Sequence, residues 1–247
     1  MSEGSWSVRA NGVWLCVETF GEARDPAILL IGGATADMEW IDRALCQRLA
    51  DGGRFVIRYD HRDTGDSTKY ELGNPQYGFD EMVADAAALL EAIAVPRAHI
   101  AGMSMGGAIA QRLALDYDHL VETLTLISTS PALRPCAPPY PDLPAMSPEL
   151  AELFSGPDAA PGHNHWMIDP GEDYRARLRH IAAPALVIHG MRDPLFPPGH
   201  GAALAREIPG SRLLLLDGVG HEMAPPERWD EVIQAMLRHT ADAATGA

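Results

Sequence analysis

Short apolar runs alternate with stretches of helical periodicity along almost the whole chain, and this alternation limits the fold more than any other feature. Apolar runs predict strands at 13–17, 27–31, 55–59, 99–102, 124–127, 186–189 and 213–216. The spacing of apolar residues predicts helices at 41–50, 79–94, 105–117, 202–208 and 228–239. Apolar strands separated by helices favour an α/β fold with a doubly wound, mostly parallel sheet that is covered on both faces.

A proline-rich segment interrupts the alternation. Ten prolines fall between 131 and 170, and each one removes a backbone donor and resists helix continuation. Only 148–154 has helical character. Because the strand at 186–189 still needs a sheet to join, we interpret 131–183 as a lid or cap insertion into one core, formed by 1–130 and 184–247, rather than as a linker between two domains.

The composition narrows the class of partner. Lys and Arg total 19 against 34 Asp and Glu, for a formal net charge of −15, so the chain repels phosphate backbones and we expect no nucleic-acid partner. We also expect no membrane association, because no apolar run approaches the ~18 residues of a membrane span, and the N-terminus does not have a signal-peptide pattern. Three cysteines without C-x-x-C spacing argue against disulfides and structural zinc and favour a cytoplasmic protein.

A G-x-S-x-G sequence stands where a predicted strand meets a predicted helix. Gly102, Met103, Ser104, Met105 and Gly106 end the strand at 99–102 and open the helix at 105–117. In a nucleophile elbow the serine occupies a strained turn with an exposed hydroxyl, and the glycines leave room for the neighbouring strand and helix. The motif predicts Ser104 as a catalytic nucleophile; the alternative is a tight turn with an incidental serine.

A serine hydroxyl needs a general base, and in this architecture the order along the chain is serine, acid, histidine. His221 is the preferred base among ten histidines because it lies in a glycine-rich loop after the strand at 213–216. Such loops stand over the crevice where doubly wound sheets bind ligands. Asp193 is the expected acid because it follows the strand at 186–189, whereas the loop after 124–127 holds no carboxylate.

An acyl-transfer site also needs amide donors for the developing oxyanion. The Met105 amide is the first expected donor, since it follows the nucleophile at a helix N-terminus. Gly33, with Ala34 as the alternative, is the second, because the loop after strand 27–31 usually supplies it. Candidate substrate-pocket residues are Met38, Trp40, Met103 and Trp166.

Two further polar groups have structural interpretations. His163 and His165 form an H-x-H pair in the insert, but no third metal ligand is evident, so we expect no metal site and a solvated or substrate-facing lid instead. The stretch at 60–63, Asp-His-Arg-Asp, is interpreted as a buried polar brace for loops rather than a second catalytic set.

Three segments resemble the α/β-hydrolase superfamily and, within it, the aclacinomycin methylesterase group of actinobacterial polyketide pathways. They are LLIGGATADMEW (29–40), VIRYDHRDTGDST (56–68) and HIAGMSMGGAIAQRLALDY (99–117). The resemblance covers nearly all of the chain except the insert, which is shorter and richer in proline than the lids of that group. It implies an α/β-hydrolase fold, a catalytic triad of Ser104, Asp193 and His221, and a cofactor-free hydrolase that cleaves a methyl ester on a polycyclic aromatic polyketide.

The sequence therefore predicts a serine carboxylic-ester hydrolase acting through an acyl-enzyme on a small, apolar or aromatic ester. The same triad also serves thioesterases, lactonases, C–C hydrolases and cofactor-free perhydrolases, so these remain alternatives, as does a cyclase or decarboxylase in polyketide tailoring. A binding protein that kept the fold without the chemistry is a further alternative.

Overall fold

The computed structural model describes residues 4–132, 140–155 and 163–242, so that two stretches of the predicted insert, 133–139 (with Cys136) and 156–162, lie outside the described residues. The strands are β1 (Trp6–Ala10), β2 (Val13–Phe20), β3 (Ala27–Ile31), β4 (Phe55–Tyr59), β5 (Ala98–Met103), β6 (Val121–Ile127), β7 (Ala185–Gly190) and β8 (Arg212–Leu216). The α-helices are α1 (Arg43–Asp51), α2 (Phe79–Ala92), α3 (Met105–Asp116), α4 (Pro148–Ser155), α5 (Gly199–Glu207) and α6 (Trp229–Asp242). None of the described helices combines the length and the apolar character that a membrane span requires.

The strands form one mostly parallel sheet, in the order β1-β2-β4-β3-β5-β6-β7-β8. Strands β4, β3, β5, β6, β7 and β8 pair in parallel, whereas β2 pairs antiparallel with both β1 and β4. The sequence did not predict β1, because this edge strand is largely solvent-exposed and its short apolar pattern is weak. The antiparallel hairpin therefore extends the predicted parallel sheet at one edge.

The core lies on both faces of the sheet, as a doubly wound fold requires. Leu29 and Ile31 of β3 belong to the cluster that contains the buried residues of α2 and α3. Ile28 and Leu30 of the same strand belong to the cluster that contains those of α1 and α6. Because successive strand side chains point to opposite faces, every central strand contributes to both clusters and reads as continuously apolar.

Several predicted element boundaries are wrong by a few residues. Helix α1 begins at Arg43 rather than at 41, because the Asp42 side chain accepts a hydrogen bond from the Ala44 amide and caps the helix. Strand β2 continues past 17 to Phe20, which places the polar Glu18 inside the sheet. Glu18 is buried there because it pairs with the buried guanidinium of Arg58 on β4, a contact that the local sequence pattern does not show.

Candidate active site

Ser104 lies in a strained turn between β5 and α3. Its backbone has φ 54° and ψ −120°, in a region that a non-glycine residue rarely adopts. The turn is held from outside: the Ser104 amide donates to Ile127 O at 3.0 Å, and the Thr129 hydroxyl donates to Ser104 O at 2.7 Å. Two contacts from the end of β6 and the residues just after it therefore stabilise a conformation that projects the serine side chain from the carboxyl end of the sheet.

The two glycines of the motif are required by close backbone contacts. A Cβ on Gly102 would lie 2.1 Å from Gly106 O, and a Cβ on Gly106 would lie 2.2 Å from Ile31 O. Both distances are far below van der Waals contact, and backbone atoms have little freedom to move away. These contacts explain why the turn has glycine at both positions.

The structure joins the three residues predicted for the triad by hydrogen bonds. His221 Nε2 lies 3.1 Å from Ser104 Oγ, and His221 Nδ1 lies 2.8 Å from Asp193 Oδ2. Ser104 and His221 are 117 positions apart in the chain, and they meet because both follow parallel strands at the same edge of the sheet. If Nδ1 carries the proton that points to the carboxylate, Nε2 is free to accept the serine proton.

The carboxylate of Asp193 is buried, and both of its oxygen atoms have hydrogen-bond partners. Its Oδ1 atom accepts hydrogen bonds from the amides of Leu195 at 2.9 Å and Phe196 at 2.8 Å, which leaves Oδ2 for His221. The loop after β7, which carries Asp193, contacts the loop after β8, which carries His221, since the Arg192 amide donates to Val219 O at 2.9 Å. Two backbone amides therefore fix the orientation of the Asp193 carboxylate, and this carboxylate in turn orients the His221 imidazole.

A second histidine supports the Asp193 turn. His189 on β7 is fully buried, and its Nε2 atom donates to Phe196 O at 2.7 Å. Burial lowers the pKa of His189, so the ring stays neutral at physiological pH. The signal in the sequence is weak, because one histidine inside an apolar strand does not indicate its partner.

Two residues whose amides were predicted as oxyanion donors, Met105 and Gly33, lie next to Ser104. Met105 is the first residue of α3, so its amide has no acceptor within the helix. Gly33 lies against the serine, since a Cβ on Gly33 would be 3.5 Å from Ser104 Cβ. Among the described residues, no acceptor is hydrogen-bonded to the amide of Gly33 or of Ala34.

The four pocket candidates differ in exposure. Met38 is buried, and its backbone is bonded on both sides: its amide donates to Asp60 Oδ1 at 2.7 Å, and its carbonyl accepts from Arg58 at 2.7 Å. Met103 is partly buried and packs against the core cluster under α1 and α6. Trp40 and Trp166 are both exposed, Trp40 at 78% and Trp166 at 47%.

The H-x-H pair does not match a solvated lid, which was one of the two expectations for it, because His165 is buried and His163 is partly buried. His165 is buried, and it packs edge-on against His61 and against His163, with ring centroids 5.9 and 4.3 Å apart. Burial lowers the pKa of His61 to about 4 and that of His165 to about 3. In the parts of the chain that the structure describes, no group of three or more His, Cys, Asp or Glu residues is arranged to hold a metal ion.

The comparisons with known proteins agree with this architecture. A family model described as "alpha/beta hydrolase fold" matches residues 26–165, and one described as "TAP-like protein" matches residues 157–246. The chain belongs to the α/β-hydrolase family. The predicted fold class and the resemblance to this superfamily are therefore confirmed.

This α/β-hydrolase is similar to two curated methylesterases over nearly its full length. It is 32% identical to "Rhodomycin D methylesterase DauP" of Streptomyces sp. (strain C5), covering 94% of this chain and 97% of the relative. It is also 32% identical to "Rhodomycin D methylesterase DnrP" of Streptomyces peucetius, covering 92% and 95%. A crystal structure of a hydrolase from Pseudomonas aeruginosa PA01 aligns over 99% of both chains, with 25% identity and a TM-score of 0.74. The family and these relatives support a hydrolase.

Proposed function

We propose that this α/β-hydrolase is a serine carboxylic-ester hydrolase with Ser104, Asp193 and His221 as its catalytic triad. The observation that carries the proposal is the continuous hydrogen-bonded path from Ser104 Oγ through both nitrogens of His221 to Asp193 Oδ2. A serine hydroxyl alone is a weak nucleophile, and this path supplies the base and the group that orients it.

In the proposed reaction, His221 Nε2 takes the proton from Ser104 Oγ as the oxygen attacks the ester carbonyl. The amides of Met105 and of Gly33, with Ala34 as the alternative, stabilise the negative oxygen of the tetrahedral intermediate. The imidazolium then protonates the leaving alkoxide, which departs as an alcohol and leaves an acyl-Ser104. A water molecule, deprotonated by His221, hydrolyses the acyl-enzyme by the same sequence of steps.

We propose a methyl ester on a polycyclic aromatic polyketide as the substrate, so that the first product is methanol. Two lines support it: the similarity to the two rhodomycin D methylesterases and the motifs shared with the aclacinomycin methylesterase group. The exposed indoles of Trp40 and Trp166 offer flat apolar surfaces for aromatic rings. In this proposal, Met103 contributes to the same pocket, and buried Met38 supports the loop that carries Trp40.

We further propose that 131–183 acts as the lid of a core formed by 1–130 and 184–247. Within the described residues, the Ser147 amide donates to Pro194 O at 2.8 Å, and His200 Nε2 lies 2.8 Å from Pro144 O. The insert thus contacts the segment that follows Asp193. The scarcity of cysteine supports a cytoplasmic setting for the reaction.

The test combines active-site labelling with product analysis. The purified protein is treated with a fluorophosphonate probe, and separately with a methyl ester of a polycyclic aromatic acid while methanol is quantified. We expect labelling at Ser104 and one methanol per acid formed, both abolished in Ser104→Ala. Labelling without methanol release would support a serine hydrolase with another substrate, and absence of both would refute the proposal.

A further inference from the structure

The loop after β3 does not hold its conformation by its own side chains. Residues 32–35 are Gly, Gly, Ala and Thr, which contribute little packing surface. Thr35 has φ 64°, a left-handed conformation that is unfavourable for a β-branched residue. Contacts from outside the loop must therefore stabilise it, and this is the loop that places Gly33 beside Ser104.

Two buried imidazoles supply those contacts, one at each end of the loop. His61 Nε2 lies 3.0 Å from Gly32 O and donates to it. The Thr35 amide donates to His165 Nδ1 at 2.9 Å, across 130 residues of chain. The amides between these two contacts, those of Gly33 and Ala34, have no hydrogen-bond acceptor among the described residues.

The hydrogen-bond partners of His165 determine which ring nitrogen carries the proton and which one accepts a hydrogen bond. His165 Nε2 lies 2.7 Å from Arg62 O, and a carbonyl can only accept, so Nε2 carries the proton. Nδ1 is then unprotonated and is the acceptor that the Thr35 amide needs. Because burial lowers the pKa of His165 to about 3, this arrangement persists at neutral pH.

The two residues that precede His165 are anchored by hydrogen bonds. Asn164 Nδ2 donates to Asp63 Oδ2 at 3.0 Å, and Asn164 Oδ1 accepts from the Gly73 amide at 2.8 Å. His163 Nε2 lies 3.0 Å from Asp63 O. The His-Asn-His segment of the insert is thus anchored to the loop after β4, which fixes the backbone that carries the His165 ring.

We propose that His165 is a positioning residue for the oxyanion hole: by accepting the Thr35 amide, it holds loop 32–35 so that the Gly33 and Ala34 amides remain beside Ser104. This inference rests on the proposed serine mechanism. It also gives the insert a role in the chemical step, because the oxyanion loop keeps its shape only while the His-Asn-His segment is docked.

Three substitutions separate the two hydrogen bonds of the ring. The Oδ1 atom of His165→Asn lies near the position of Nδ1 and can accept from Thr35, whereas His165→Gln places an amide near Nε2 and keeps only the bond to Arg62. His165→Ala removes both. We expect the Gln and Ala variants to lose about 10- to 100-fold in kcat with KM changed by less than about threefold, because misplacing an oxyanion donor affects the transition state. We expect the Asn variant to keep kcat within about threefold of the wild type.

Fluorophosphonate labelling of Ser104 gives a readout that does not depend on the natural substrate, since phosphonylation also develops negative charge in the oxyanion hole. The labelling rate should fall in His165→Gln and recover in His165→Asn, at equal thermal stability. His180→Gln is the matched control, because His180 is an exposed histidine of the same insert that makes no hydrogen bond to loop 32–35 among the described residues, and this variant should label at the wild-type rate. A folded Gln variant with wild-type kcat and labelling rate, or an Asn variant as slow as Gln, would overturn the proposal. Failure of the wild type to label would instead refute the serine mechanism.

Discussion

Replacing Asp193 with asparagine tests the proposed triad most directly. The side chain keeps its shape, and its oxygen can still accept from the amides of Leu195 and Phe196, which favours Oδ1 at its present position. The new NH₂ group then points at His221 Nδ1, where the carboxylate was. A donor at that position favours the tautomer with an unprotonated Nδ1 and a protonated Nε2, which cannot take the proton from Ser104.

The magnitude follows from the two tautomers that the variant can choose between. The productive tautomer loses a hydrogen bond to a buried charged group, a cost of about 1.5–3 kcal/mol. It also leaves two buried donors facing each other, which costs about 1–3 kcal/mol more. The sum corresponds to a fall in kcat of about 10²- to 10⁴-fold, and about 10⁴ is the cost of this exchange in a well-studied serine protease.

The assay is steady-state hydrolysis of a short p-nitrophenyl ester at neutral pH, with circular dichroism to verify folding. Glu222→Gln is the matched control, since it removes one negative charge beside His221 while keeping an acceptor for the Gly220 amide. We expect the control to stay within about threefold of the wild type, because an exposed charge contributes little. A folded Asp193→Asn variant that loses less than about tenfold in kcat would refute the tautomer argument.

Three further substitutions test the packing and electrostatics around the site. Gly106→Ala should destabilise the fold by about 3 kcal/mol or more in urea unfolding, because its Cβ would overlap Ile31 O at 2.2 Å. Arg58→Met should cost about 3–5 kcal/mol, because it leaves the buried Glu18 carboxylate without its buried partner, and Arg58→Met with Glu18→Met should cost less. Burial lowers the pKa of His61 from ~6.5 to about 4, so between these pH values the ring binds a proton in the unfolded state but not in the folded state. Each pH unit of acidification in that window should therefore raise the unfolding equilibrium constant by up to about tenfold. His61→Gln should remove this contribution to the pH dependence of unfolding.

Each of these has a control or an outcome that would contradict it. Gly32→Ala adds the same methyl group where the nearest atom is 3.9 Å away, so its stability should match the wild type; equal losses in both glycine variants would refute the steric argument. A double Arg58/Glu18 variant less stable than Arg58→Met would contradict the unpaired-charge explanation. An unchanged pH slope in His61→Gln would show that protonation of this ring does not contribute to acid unfolding.

The elements that the sequence predicted well are those whose burial is complete. Strands β3 and β4 appear at the predicted bounds, because nearly all of their residues are apolar and buried, with Arg58 as the one charged residue. Strand β1 was missed because it is largely solvent-exposed. The polar end of β2 was missed because the burial of Glu18 depends on Arg58, 40 positions away. A local pattern of hydrophobic residues does not predict the burial of a charged residue whose partner lies on another strand.

The sequence by itself determined after which strands the three residues of the proposed triad lie. A glycine–serine turn after one strand, a carboxylate after another and a histidine after a third place Ser104, Asp193 and His221 at one edge of a parallel sheet, because parallel strands end at the same edge. These positions depend on local spacing and on the sterics of a tight turn, which a sequence records directly.

Only the tertiary structure decided how the insert meets this edge. The contact of His165 with Thr35 spans 130 residues, and nothing in the spacing of a histidine pair indicates which amide it will accept. From the sequence, the H-x-H segment indicated a solvated or substrate-facing lid, whereas the structure buries His165 and bonds it to the loop after β3. The contacts of this segment with Thr35, Asp63 and Gly73 join positions that are far apart in the chain, so they depend on long-range packing rather than on any local pattern.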